Sequence, residues 1–123
     1  MDEVLSTQAL GRTGEEAALE FLQRNKYRVV TTGFRLHRGE IDIIAYDGPT
    51  LVFVEVKTRS GEEFGLPEEA VTPAKQRQVR KIAAGYLQKN RIAESRIPCR
   101  FDVLSIVRET EAVFRIRHIK NAF

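Results

Sequence analysis

The stretch RGEIDIIAYDGPTLVFVEVKTR, residues 38–59, decides how the chain is read. Its Ile, Val and Phe residues alternate as in two β-strands joined by a turn, yet Glu40, Asp42, Glu55 and Lys57 stand among them. Alternate residues of a strand share a face, so Glu40, Asp42 and Ile44 point one way, and Leu51, Phe53, Glu55 and Lys57 share a face of the next strand. With DGPT as a four-residue turn, Tyr46 pairs with Leu51, which sets Asp42 opposite Glu55 and Glu40 opposite Lys57. A two-residue turn at Asp47 and Gly48 keeps that parity but pairs Asp42 with Phe53, and the sequence admits both. Directly opposed side chains hold their Cβ atoms about 4.5–5.5 Å apart, where like charges destabilise the ladder, so something positive is expected between the acids.

Two hard carboxylates, Asp42 and Glu55, with the carbonyl of Val56, suit Mg²⁺ (or Mn²⁺), which takes oxygen ligands and further ligands from a substrate phosphate. Lys57, on the face of Glu55, is placed to orient a water or offset developing charge. The reaction class this implies is metal-assisted phosphodiester hydrolysis, with Asp42, Glu55 and Lys57 as catalytic candidates. The competing reading is a surface ion pair of Glu55 and Lys57 with Glu40, worth under about 1 kcal/mol. Against it, Leu51, Phe53 and Ile44 on the same face mark a surface that a helix covers. No residues for an organic cofactor are indicated.

Outward from this pair, GEEAALEFLQRN (14–25) has helical spacing behind Thr13 as N-cap, and YRVVTTGFRL adds a third strand with a bulge or bend at Gly33. After the acidic loop RSGEEFGLPEEAV, Thr72 and Pro73 open a helix expected to reach about Lys89. Its Val79, Ile82, Ala83, Tyr86 and Leu87 form one stripe. CRFDVLSIV and AVFRIRHIK are two further strands. The order αβββαββ predicts an α/β sandwich with a mixed central sheet flanked by helices. It is expected to be a single domain over residues 1–123, with 1–12 flexible.

The composition, 42% hydrophobic and 30% charged, is that of a globular chain, and no apolar run approaches the roughly 20 residues of a membrane span. MDEVLSTQALGRTG has two acids and no long apolar stretch, so neither a secretory nor a transit peptide is expected, and the protein is expected in the cytoplasm. Cys99 is the single cysteine, which excludes an internal disulfide; IPCRFDV reads as the start of a core strand rather than a nucleophile's setting. His37 and His118 lack ligand companions and read as surface or strand-end residues. Asp102 reads as structural, or as supporting the site through another residue.

The blocks GRTGEEAA, RGEIDIIA, LVFVEVKTR, AKQRQVRKIAAGYL and RFDV, in this order, resemble the UPF0102 (YraN-like) family. That family is placed in the restriction-endonuclease-like PD-(D/E)xK superfamily and is similar to archaeal Holliday junction resolvases, which are Mg²⁺-dependent dimeric nucleases. The resemblance implies a restriction-endonuclease-like fold, with Asp42 as the motif aspartate and Glu55-Val56-Lys57 as (D/E)xK, Ile41 standing where the motif has proline. It also implies a glutamate on the first helix. Helical phase favours Glu15, in step with Ala18, Leu19 and Leu22, over Glu16, which is spaced from Thr13 as in a capping box.

The net charge is +3, and 14 of the 20 cations are arginines, whose planar fork suits phosphate oxygens. Arg35, Arg38 and Arg59 bracket the acidic strands, and Lys75, Arg77 and Arg80 mark the second helix; such contacts position a backbone without reading sequence. The resemblance adds Gln76 as an assisting residue. The expectation is a Mg²⁺-dependent endonuclease acting on DNA, branched or structured substrates before simple duplex, as a homodimer and off the membrane. The alternative is a nucleic-acid-binding or adaptor module that keeps the fold and catalyses nothing.

Overall fold

The computed structural model describes residues 2–6, 13–60, 71–110 and 113–123. Six strands and two helices follow in the order β1(Asp2–Ser6), α1(Gly14–Arg24), β2(Arg28–Leu36), β3(Gly39–Asp47), β4(Thr50–Ser60), α2(Pro73–Lys89), β5(Cys99–Thr110), β6(Val113–Ile119). The strands form one sheet in the order β1-β6-β5-β4-β3-β2. β4 and β5 run parallel and every other pairing is antiparallel, so the sheet is mixed, as the sequence implies. The element order gains one strand over αβββαββ: within the stretch 1–12 expected to be flexible, Asp2–Ser6 forms β1 and pairs with β6, while 7–12 lie outside the described residues. The predicted acidic loop lies, over 61–70, outside the described residues.

Local signals set the helix ends. Thr13 caps α1 through a complete capping box: Glu16 N–H donates to Thr13 Oγ1 at 3.1 Å while Thr13 N–H donates to Glu16 Oε1 at 3.2 Å. Thr72 accepts from Lys75 N–H at 3.2 Å at the start of α2, and Pro73 at the first position gives up an amide that has no helical partner there. α2 ends at Lys89 and buries Val79, Ile82, Ala83, Tyr86 and Leu87, the stripe read from spacing.

The helices cover opposite faces of the sheet. α1 places Ala17, Ala18, Phe21 and Leu22 against Ile43, Ala45, Val52, Val54, Leu104 and Ile106. α2 packs its stripe against Ile41, Ile44, Leu51 and Phe53. Each Val, Leu or Ile so enclosed stabilises the fold by roughly 1.5–3 kcal/mol relative to its exposed state. Residues of β4 therefore divide by parity: Val52 and Val54 face α1, while Leu51, Phe53 and Glu55 face α2. Among the described residues no helix is long and apolar enough to cross a membrane.

The β3–β4 hairpin settles the turn. Tyr46 pairs with Leu51, the register of the DGPT reading, and the ladder closes one step further at Asp47 and Thr50. Gly48, at φ +58, and Pro49 form the two-residue loop, with Gly at the position that II′ turns reserve for positive φ. On the other side, the register shift between β2 and β3 falls between Val29 and Thr31 rather than at Gly33, although Gly33 does adopt φ +60. The β2–β3 hairpin turns on His37 and Arg38, at φ 54 and φ 67, between the paired residues Leu36 and Gly39. Left-handed backbone at a non-glycine residue costs of order 1–3 kcal/mol, so this turn holds its side chains against a local preference.

Candidate functional site

The hydrogen-bonded ladder of β3 and β4 reaches as far as Ile43 and Val54, one step short of Asp42 and Glu55. There the Asp42 side chain takes over from the backbone: its Oδ2 accepts from Val56 N–H at 2.8 Å. This single bond fixes the carboxylate of β3 beside the turn of chain that carries Glu55. The pairing parity read from the sequence thus brings Asp42 and Glu55 together, and the alternative that set Asp42 against Phe53 is excluded, since Phe53 pairs with Ile44.

Glu55 is 5% exposed, which removes the reading of a surface ion pair. Its Oε1 lies 3.8 Å from Lys57 Nζ and 3.7 Å from Lys75 Nζ. Its Oε2 is buried with no hydrogen-bond partner among the described residues. Burial, and next the Asp42 carboxylate, push the Glu55 acid up to about 7, against the pull of Lys75 and Lys57. Asp42 is raised too: burial is the main cause and Glu40 adds to it, while the Val56 N–H bond and the two lysines oppose it. The two carboxylates thus disfavour each other's charge, and one keeps an unpartnered buried oxygen.

Among the described residues no group of three or more His, Cys, Asp or Glu stands ready to hold a metal. A site of two carboxylates is what Mg²⁺ uses when it keeps several waters and completes its shell with substrate phosphate. Asp42, Glu55 and the Val56 carbonyl therefore fit a hard divalent ion better than they would fit zinc, which takes nitrogen and sulfur ligands in closed sites.

Lys75 belongs to this centre as well as to the set of phosphate-binding candidates. The sequence carried the signal: Lys75 precedes Val79, Ile82 and Tyr86 by 4, 7 and 11 positions, on the stripe that faces the sheet. Lys75 also lines a cavity of about 520 Å³ with Arg35, Leu36, His37, Arg38 and Gln78. Arg35 and Arg38 are thus brought beside the site. Arg35 Nε lies 3.5 Å from Glu40 Oε1, so Glu40 turns toward β2 rather than Lys57.

Other candidates are placed elsewhere. Gln76 donates from Nε2 to Val71 O at 3.0 Å, which ties it to the chain entering α2. Arg77 is exposed. Arg80 lies 4.8 Å above the Phe101 ring and 5.5 Å from Phe123, lining a second cavity with Phe53, Leu87 and Cys99. Arg59 is half-buried on β4, paired in register with Val107. The phase argument for Glu15 does not hold: the inward stripe of α1 is Gly14, Ala17, Ala18, Phe21 and Leu22, one position earlier, and Glu15 is exposed. Gly14 sets that phase, because a Cβ there would stand 2.1 Å from Thr58 Oγ1, and only a bare backbone lets α1 lie so close to β4.

His118 stands at the end of β6, as read, but its side chain turns inward and is 8% exposed: Nε2 lies 2.7 Å from Oδ2 of Asp102, a residue with no exposed surface. Arg100 clasps Asp102 through Nε at 2.8 Å and Nη2 at 2.9 Å, and reaches Asp47 at 3.0 Å and Tyr27 Oη at 2.8 Å. Asn121 N–H donates a further bond at 3.0 Å. Burial raises the Asp102 acid, but the bonds from His118, Arg100 and Asn121 outweigh it and leave it lowered. Tyr27, pressed against His118, is pushed up to about 12, chiefly by burial. This network ties β3, β5, β6 and the end of α1 together on the face away from Glu55, the structural role foreseen for Asp102.

A family model described as "Uncharacterised protein family UPF0102" matches residues 14–106. The UPF0102 protein STH1475 of Symbiobacterium thermophilum is 48% identical over 114 residues, covering 93% of this chain and 95% of the relative. A UPF0102 protein of Geotalea uraniireducens is 49% identical over 115 residues, covering 94% and 89%. One from Geobacter sulfurreducens, GSU0650, is 46% identical over 114 residues, covering 93% and 88%.

Proposed function

The chain belongs to the protein family UPF0102, and from that premise and the geometry of the carboxylate pair we propose that it is a Mg²⁺-dependent endonuclease that hydrolyses phosphodiester bonds of DNA. The observation that carries the proposal is the convergence of Asp42 and Glu55 from adjacent strands, with Glu55 Oε2 buried and unpartnered while two ammonium groups meet the other oxygen. Burial of an acid in this way costs free energy unless a cation arrives to use it.

Asp42, Glu55 and the Val56 carbonyl would hold the ion, Mg²⁺ or Mn²⁺. When bound, the ion supplies a more acidic water and a Lewis acid for the phosphoryl oxygens. Lys57 and Lys75 aim their ammonium groups at the place where negative charge builds during attack on phosphorus, and preorganised donors of this kind act most strongly where water is excluded. Val56 N–H keeps Asp42 Oδ2 fixed, so the carboxylate does not reorganise as the reaction proceeds. Arg35 and Arg38 hold the sugar-phosphate backbone alongside. The protein is proposed to work in the cytoplasm, off the membrane, and as a homodimer.

A second reading has one observation in its favour: Glu55 already has two internal ammonium partners, as in a structural ion cluster. On that reading the chain binds nucleic acid or another protein and cuts nothing. A cleavage panel of junction, flap, duplex and single-stranded DNA in Mg²⁺ and Mn²⁺, run beside Glu55→Ala, separates the two. Product that needs the intact Glu55 supports the nuclease, and salt-sensitive binding without product at any metal concentration supports the module.

A further inference from the structure

The cavity between the β2–β3 hairpin and α2 has features that cleavage at the carboxylate pair does not itself require. At the hairpin tip His37 and Arg38 both adopt left-handed backbone, φ 54 and φ 67. A two-residue turn of this shape is most readily made by Asn-Gly or Asp-Gly. A chain that needed only to reverse direction would carry such a pair; this one carries an imidazole and a guanidinium. Strained positions of this sort concentrate where side chains are held for a ligand.

Both residues open onto the cavity of about 520 Å³, together with Arg35, Leu36, Lys75 and Gln78 and with one carboxylate, Glu40, which Arg35 faces. Its floor is built by close approach: a Cβ on Gly39 would lie 2.5 Å from Ile82 Cδ1 and 2.9 Å from Gln78 Nε2, so the bare backbone lets α2 sit directly on the hairpin root. Lys75 is shared between the two places, because it lines the cavity and stands 3.7 Å from Glu55 Oε1. A group that touches both fixes where the cavity's occupant sits relative to the cut.

We propose that this cavity takes one unpaired nucleotide of the cleaved strand, the neighbour of the phosphate attacked at Asp42 and Glu55. The inference rests on the nuclease reading and names the substrate class for that site: DNA with a single-stranded segment at the cut. The volume, about 520 Å³, lies within the roughly 300–1,000 Å³ of small-ligand pockets, room for one nucleotide. Arg38 and Lys75 meet phosphate oxygens. The imidazole face of His37 stacks on the base, as aromatic side chains do on splayed nucleotides, and the Gln78 amide offers a donor and an acceptor to the base edge. Arg35 contributes less charge than its neighbours, since it faces Glu40.

The test is the double substitution His37→Asn/Arg38→Gly, which gives the turn its preferred residues while removing both ligand groups. Anisotropy titrations at fixed salt in metal-free buffer compare a labelled flap DNA with the fully paired duplex of the same sequence, for the wild type and the variant. The wild type is expected to bind the flap about tenfold or more tightly than the duplex, a preference one stacked base can supply. The variant is expected to lose that preference while its unfolding midpoint stays or rises. Equal flap binding by the two proteins, equal affinity of the wild type for flap and duplex, or a variant less stable than the wild type would each overturn the proposal. A wild type that binds neither probe would sink the nuclease reading itself, and the inference with it.

Discussion

Lys75, on the first turn of α2, holds its Nζ 3.7 Å from Oε1 of Glu55 on β4, so the helix that covers the sheet also supplies a charge to the carboxylate buried beneath it. Lys57 meets the same oxygen from two residues along the strand, at 3.8 Å. The two lysines differ in what else they touch: Lys75 opens onto the basic cavity, whose lining does not include Lys57.

That difference gives the first prediction. Lys57→Ala is expected to lower kcat by about 10²-fold or more, the scale on which one charge-stabilising donor acts, with KM little changed. Lys75→Ala is expected to lower kcat and to raise KM as well, because it removes a phosphate contact. Steady-state cleavage kinetics on one substrate check the split, and equal effects on KM would remove the special role of Lys75.

Asp42→Asn isolates the charge from the hydrogen bond. The amide oxygen still accepts from Val56 N–H, so the fold is kept, but the hard anionic ligand is gone. Calorimetric titration is expected to show Mg²⁺ and Mn²⁺ binding lost or weakened by more than about 10²-fold, as for removal of a direct ligand rather than an outer partner. Wild-type metal affinity in this variant would count decisively against the assignment.

Glu55 makes the metal-free protein sensitive to pH. Its folded value, about 7, lies above its ordinary 4.5, so between these values the folded state binds more protons than the unfolded one. Stability is therefore full below pH 4.5 as far as this group is concerned and is lost as pH rises through about 7. The loss is about 3 kcal/mol at most, since one pKa unit is worth 1.36 kcal/mol. Denaturant melts in chelator from pH 5 to 8 should show the decline in the wild type and little of it in Glu55→Gln.

Asp102 titrates in the opposite sense and on the other face. Its folded value is lowered, so its stabilisation is present above its ordinary 3.8 and lost as pH falls through the folded value. Asp102→Ala strands Arg100, His118 and the Asn121 N–H together, and removing one partner of a buried pair costs about 3–5 kcal/mol. The variant should unfold at markedly lower denaturant concentration while binding Mg²⁺ as the wild type does. A change in metal affinity greater than a few-fold would show that the network reaches the site.

Much of this molecule was legible in its sequence, because the signals concerned are local. The capping box of Thr13 and Glu16, the Thr72-Pro73 helix start and the stripe from Val79 to Leu87 depend on residues within a turn or two of each other, so spacing alone specifies them. Cross-strand parity likewise put Asp42 and Glu55 on course to meet, since it survives any turn that keeps an even offset, but alternation does not run unbroken through β3: Ile41 and Ile44 both pack against α2 while Ile43 packs against α1. What alternation leaves undetermined is the partner. Register was decided by the II′ loop at Gly48 and Pro49, and the bond from Val56 N–H to Asp42 forms only where the ladder ends.

The rest lay in distances that no short window contains. Glu15 pointed outward because Gly14, through its approach to Thr58, turned α1 by one residue from the phase its leucines suggested. Arg100, Asp102 and His118 each look like a lone polar residue in a strand; they become one network only when β5 and β6 lie side by side above the end of α1. Lys75 reached Glu55 because the helix had to lie across the sheet to bury its stripe. Which elements form and which faces are apolar follow from backbone periodicity and solvent, and so can be read along the chain. Which charges meet depends on how separately specified elements dock, and docking is set by the packing of the whole core.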